Sequence, residues 1–286
     1  MKARPLTLIL AVLILFTVSG APLFADIIVY NNLPNPMPPA SPSLGFQATQ
    51  TAQFGDLIHL VSGPSVLTTG TILMTDWALH SDFPLESASG FNWPLTLTLY
   101  NVDSSSGTPQ PGSVITSVTQ TFLMAWRPAA TGNCANASQW SPDGGVNCFN
   151  GFNFLVNFNL PSVTVPGDLI FGITYNTETW GPNPTGIAGP YTSLNLGLNT
   201  APSPTVGSRP LPDTAYWNTQ TAGNYTDGGA GGIGTFRQDT VWSPYSTGAE
   251  FIGTPTATPE PGTLGFLCCG GIVIGGLIRR KRRQKS

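Results

Sequence analysis

Apolar residues recur at every second position in several separate segments of this chain, and that period of two decides its fold class. Leu95, Leu97 and Leu99 alternate with Thr96, Thr98 and Tyr100. Phe152, Phe154, Val156, Phe158 and Leu160 alternate with Asn153, Leu155, Asn157 and Asn159. Leu169, Phe171, Ile173 and Tyr175 alternate with Ile170, Gly172 and Thr174, and Leu194, Leu196 and Leu198 with Asn195 and Gly197. Successive side chains of an extended strand point to opposite faces, so each segment presents one apolar and one mostly polar face. That is the pattern of an antiparallel sheet buried on one side.

Further strands are expected at Ile27–Tyr30, Leu57–Val61, Leu67–Leu79, Val114–Met124 and Ala249–Ile252. Turn-forming clusters separate them, at Asp103–Gly112, Pro142–Gly145, Pro166–Asp168 and Asn224–Gly234. No stretch between the two ends keeps helical spacing over three turns. Many strands with Gly/Pro turns predict an all-β fold: a two-sheet antiparallel sandwich, jelly-roll-like first and immunoglobulin-like second. The expected ectodomain spans residues 26–253. Asn31–Pro42 is Pro-rich and reads as an extended linker or edge segment, and residues 254–258 form a Thr/Pro linker.

The two ends have a different character. Lys2 and Arg4 precede an uncharged apolar run, Leu6–Val18, and the small-residue stretch through Ala25 follows. This is the layout of a secretory signal peptide over residues 1–25, and the run is too short for the roughly 20 residues a spanning helix needs. It implies the Sec translocon and signal peptidase as partners. At the other end, an uncharged segment over residues 262–278 is followed by Arg279, Arg280, Lys281, Arg282 and Arg283. An apolar segment abutting a basic block reads as a C-terminal transmembrane helix with its basic end in the cytoplasm. The body is then held outside, anchored in the inner membrane.

Pro259, Glu260 and Pro261 stand directly before that segment. Such a triplet, followed by a short apolar helix and an Arg-rich end, resembles the PEP-CTERM sorting tail, here covering residues 259–286. The resemblance implies Pro259-Glu260-Pro261 as the sorting motif and Arg279–Arg283 as the stop-transfer block. It further implies an exosortase as partner and a Gram-negative host that secretes exopolysaccharide, with release to the cell surface or matrix after processing. Cys268 and Cys269 depart from the Leu, Ala or Gly usual there and read as small packing residues.

The exported body is acidic. From Asp26 to Glu260 there are fourteen acidic residues against three bases, Arg127, Arg209 and Arg237, a net of −11 with no lysine. Duplex binding needs cations at the phosphates, so nucleic acid is excluded as a partner. Ser, Thr, Asn and Gln carry solubility instead, which suits a setting of polar glycans. Cys134 and Cys148 are the two cysteines outside the tail. Export permits a disulfide between them, closing a loop rich in Asn, Gly, Ser and Pro.

Catalytic constellations are sparse. His59 and His80 lie in strand-like contexts, without a nucleophile elbow, phosphate loop or zinc spacing near them. Paired carboxylates for glycan hydrolysis would come from Asp82 with Glu86, or from Glu178. Calcium is the one cofactor the residues leave open, through Asp227 before Gly228-Gly229 and through Asp213 with Asp239. Four tryptophans stand two residues before a proline: Trp126, Trp140, Trp180 and Trp242. Indoles on loops either cap the open ends of a sandwich or offer stacking platforms to sugar rings. The expectation is a non-catalytic envelope or matrix protein associated with exopolysaccharide. A lectin-like carbohydrate-binding module and a secreted glycan hydrolase or lyase are the alternatives.

Overall fold

The computed structural model describes residues 25–201 and 203–256. The segments expected to form the signal peptide (Ala25 apart), the sorting motif, the transmembrane helix and the basic block lie outside the described residues. No helix among the described residues is long and apolar enough to cross a membrane.

Thirteen strands form two antiparallel sheets. In chain order they are β1 (Ile27–Asn31), β2 (Ser43–Gly45), β3 (Thr51–His59), β4 (Ser65–Asp76), β5 (Phe91–Asp103), β6 (Gln110–Met124), β7 (Phe152–Val165), β8 (Asp168–Thr174), β9 (Leu194–Asn199), β10 (Thr214–Thr219), β11 (Arg237–Thr240), β12 (Ser246–Thr247) and β13 (Ala249–Pro255). One sheet runs β1-β13-β4-β9-β12, with β2 on β9 and β7 on β4. The other runs β11-β10-β3-β8-β5-β6. The chain changes sheet repeatedly: β3 to β4, β4 to β5, and at every step from β6 to β10. The all-β, two-sheet expectation holds.

The alternation explains the core. Leu95, Leu97 and Leu99 of β5, and Leu169, Phe171 and Ile173 of β8, face Ile72, Met74, Val156, Phe158, Leu196 and Phe251 of the opposite sheet, all buried. Each such side chain contributes roughly 1.5–3 kcal/mol relative to exposure. Phe171 meets Phe251 edge-on at 5.4 Å, tying the sheets together at mid-height. In β4 a bulge between Leu67 and Thr69 resets the pleat, so both Leu67 and Ile72 point inward despite their odd spacing.

Local departures from the sequence expectation have physical causes. The Asn31–Pro42 segment is a packed strap: the Asn153 side chain donates to the Pro38 carbonyl at 3.0 Å, and buried Asn32 donates to Ser246 Oγ at 2.7 Å. β13 continues through Thr254 and Pro255, paired with Val66 and Ser65, so the domain ends two residues into the expected linker. Every residue of β9 is buried, including its polar face, because Asn199 donates to the Asn32 carbonyl at 2.7 Å and Leu73 lies over Gly197. β10 and β11 were not expected. Thr214–Thr219 is buried on both faces, which erases alternation, and β11 is only four residues long.

Candidate functional site

The outer face of the six-stranded sheet carries a second apolar cluster. Leu57, Ile170 and Tyr216 are buried there, with Tyr100, Val102, Leu211 and Phe236 packed on them. Gly55 and Gly172 stand opposite each other in β3 and β8. A Cβ on Gly172 would lie 2.5 Å from the Gln53 amide and 2.8 Å from the Phe236 ring. The missing side chain is what lets Phe236 lie against the sheet. The β5–β6 hairpin folds over this face, and Tyr216 Oη donates to the Pro109 carbonyl at 2.9 Å, pinning its tip.

Between that tip and the loop of residues 226–236 lies a cleft of about 590 Å³. The loop has five glycines with positive φ, Gly228, Gly229, Gly231, Gly232 and Gly234, a conformation costly for other residues. Arg237 holds it in place. Its guanidinium donates to Asp227 Oδ2 at 2.8 Å and Oδ1 at 3.1 Å, to the Gln238 carbonyl at 2.9 Å and to the Gly232 carbonyl at 3.3 Å. Its carbon sits 3.8 Å above the Tyr225 ring. Hydrogen bonds from Arg237 hold the Asp227 carboxyl below the usual carboxylate range. The charges at the base of the cleft therefore neutralise each other in place. Its walls are neutral: Thr108, Gln110, Gln238 and Thr240, with the Phe236 ring among them. Gln110 Oε1 accepts the Gln238 N–H at 3.1 Å, which joins hairpin to loop. The Gln110 Nε2, the Gln238 side-chain amide and the hydroxyls of Thr108 and Thr240 have no hydrogen-bond partner among the described residues.

The four loop tryptophans are not gathered on one exposed surface. Trp140 is buried, and its indole donates to the Gly151 carbonyl at 2.8 Å. Trp126 stacks on Phe83 and donates to the Ser87 carbonyl at 2.8 Å. Trp242 lies edge-on to Phe54 and Trp217 and donates to Asp239 Oδ2 at 2.8 Å. Trp180 is half-buried. Trp77, which the Trp-x-Pro pattern passes over, is the exposed one, at 46%. The bond between Cys134 and Cys148 is formed.

Asp82 and Glu86 share a second cleft of about 360 Å³, with Phe83, Leu85, Ile187 and Tyr191. Glu178 does not line it. His59 Nδ1 pairs with Asp168 Oδ1 at 2.7 Å on the surface, and His80 Nε2 lies 3.1 Å from the Glu86 carbonyl. Among the described residues no three His, Cys, Asp or Glu form a metal-binding group. Of the three aspartates considered for calcium, Asp227 is engaged by Arg237, Asp213 accepts the Ser243 N–H at 2.9 Å, and Asp239 accepts from Thr226 Oγ1 at 3.0 Å as well as Trp242.

Two buried carboxylates escaped the sequence reading. Asp56 shares the inward face of β3 with Phe54 and Ile58, and the alternation itself carried that signal. Arg209 Nε donates to its Oδ2 at 2.6 Å, yet burial outweighs that partner and pushes the carboxyl up to about 6. Asp76 ends β4 with Oδ2 unpaired, and burial pushes it up to about 7 against the N–H groups of Ala78 and Trp77. All three arginines of the body are thus internal: the side chains of Arg209 and Arg237 are each 7% exposed, and Arg127 is buried.

No family model, no curated protein and no solved structure matches the chain.

Proposed function

We propose that this chain is an exported, exosortase-sorted cell-envelope or matrix protein. Its non-catalytic sandwich contacts exopolysaccharide through the cleft between the β5–β6 hairpin and the 226–236 loop. The observation that carries the reading is the cleft lining of neutral amides and hydroxyls around one aromatic ring. Hydroxyl-rich sugars take hydrogen bonds from neutral polar groups and stack their C–H faces on rings. The disulfide supports an oxidising, extracytoplasmic setting. The repeated crossing between sheets supports the jelly-roll-like form of the sandwich. The sequence of residues 262–278 and of Arg279–Arg283 supports a membrane helix and stop-transfer block.

Two experiments test this. The full chain, purified with detergent present, is run by affinity electrophoresis through gels cast with polysaccharide; retardation is expected, and free migration in every gel removes the glycan reading. In cells, replacing Arg279–Arg283 with Ser is expected to abolish processing of the tail, and unchanged processing removes the sorting reading. A hydrolase reading keeps one specific observation, the shared cleft of Asp82 and Glu86 beside Tyr191. Release of reducing ends by the chain, lost in Glu86→Gln, would favour it.

A further inference from the structure

We infer that the cleft takes uncharged polysaccharide and rejects anionic polysaccharide. This rests on the reading of the cleft as a glycan site and adds its charge selection. The body has three cationic side chains, and the structure commits each of them internally. Arg209 is held by Asp56 at 2.6 Å, with its remaining donors on the Pro212 and Thr214 carbonyls. Arg127 is buried and donates to the Asn150 carbonyl at 3.1 Å. Arg237 reaches the cleft wall, but Asp227 and two carbonyls take its donors. The surface of the body therefore offers no arginine or lysine to a uronate, sulfate or phosphate group. Its exposed charges are carboxylates, among them Asp82, Asp103, Asp143 and Asp213. An acidic chain approaching the cleft meets repulsion with no counter-ion to offset its desolvation.

The same face continues the neutral chemistry beyond the cleft. A smaller depression of about 250 Å³ is lined by Pro94, Thr96, Thr119, Thr174 and Asn183. Thr96 and Tyr100 lie on the same side of β5, and Tyr100 packs on Phe236 at 5.5 Å. Four residues of strand span about 13 Å. Thr98, buried and bonded to Ser117 at 2.9 Å, stands between them. Selection by neutral hydrogen bonds has a distinct signature, since binding that releases no counter-ions is insensitive to salt.

The test is affinity electrophoresis and equilibrium binding of the full chain, with detergent present, to dextran and hydroxyethylcellulose as neutral probes and to alginate as the anionic one. EDTA is included so that no divalent ion bridges carboxylates. The expected result is binding to at least one neutral polymer, changing less than twofold between 50 mM and 500 mM NaCl, with alginate at least tenfold weaker. Gln238→Ala and Gln110→Ala should each weaken it at least threefold. Gln120→Ala, on the far edge of β6, should leave it unchanged. Gln238→Arg should raise alginate binding at low salt. Salt-sensitive alginate binding by the unaltered chain overturns the charge selection but leaves a glycan-binding protein. Neutral binding indifferent to both cleft variants, with folding checked by circular dichroism, overturns the site alone. Absence of binding to all three polymers removes both this inference and the reading beneath it.

Discussion

The loop closed by Cys134 and Cys148 and the loop of residues 226–236 are alike in composition and unlike in what holds them. Both consist mainly of small and polar residues, each with one packed aromatic ring, Trp140 or Phe236, so little of their order comes from burial. The first is closed covalently, and Asp143 organises its turn by accepting the N–H of Asn147 at 2.9 Å and the Ser141 hydroxyl at 2.7 Å. The second has no covalent closure. One buried guanidinium grips a carboxylate and two carbonyls and rests on Tyr225. A covalent closure resists acid and fails in reductant. An ionic one does the reverse. The loop that borders the cleft is the ionic one, so the walls of the candidate site depend on charge and not on redox state.

That contrast can be broken most directly at Arg237. Arg237→Met leaves Asp227 and the carbonyls of Gly232 and Gln238 without their donor, and is expected to lower stability by about 4 kcal/mol. Urea unfolding measures this, and hydrogen exchange should show the loss of protection beginning in residues 226–236. An unchanged midpoint would mean the glycine loop holds its shape without the latch. Next in size, Cys134→Ser with Cys148→Ser should cost about 3 kcal/mol, the chain-entropy value for a loop of this length. Dithiothreitol should do the same to the unaltered chain and nothing further to the double variant, with exchange in 226–236 unaffected by either.

The third prediction concerns pH. Asp76 has a folded pKa of about 7, above its unfolded value, so the folded state holds its proton more tightly. Its contribution is then favourable in acid and is lost as pH rises towards 7. Asp76→Asn is expected to raise stability at pH 8 by about 2 kcal/mol and to flatten the slope between pH 4 and 7. A variant as unstable at pH 8 as the parent would show that the unpaired oxygen is satisfied by solvent. The smallest effect has the opposite sign. Asp227 has a lowered pKa, so its latch is intact above the ordinary carboxylate range and is lost as pH falls below it. Exchange in 226–236 should rise between pH 4 and 2 by the equivalent of about 1 kcal/mol or less, given partial exposure. Asp143 is pushed down to about 2 by the Asn147 backbone N–H, so the disulfide loop should hold its turn over most of that interval.

The strands at Leu95–Tyr100, Phe152–Leu160 and Leu169–Tyr175 were legible because one sheet face is buried and the other is not, which writes a period of two into the chain. β10 was not legible, since Ala215 and Tyr216 are buried on opposite faces and no alternation survives. The cleft was legible only as a turn cluster around Asn224–Gly234. Its walls come from residues 108–111 and 235–240, which meet because a long hairpin folds over the sheet. Trp-x-Pro placed four indoles outside the strands but was a poor guide to exposure: Trp242 found Phe54 and Trp217, whereas Trp77 is the exposed one. The three arginines were visible as the only bases of the body, but their burial was not, because it depends on partners far away in sequence such as Asp56 for Arg209.

The internal placement of those arginines bears on resistance to proteolysis. Proteases of the trypsin type cut after Lys or Arg and stall where Pro follows. The body has no lysine, and two of its arginines are in Arg127-Pro128 and Arg209-Pro210. The third, before Gln238, lies within a paired strand with its side chain clamped. Between Asp26 and Pro255 the folded body offers such an enzyme no ready point of attack, and digestion there must wait for β11 to detach from β10.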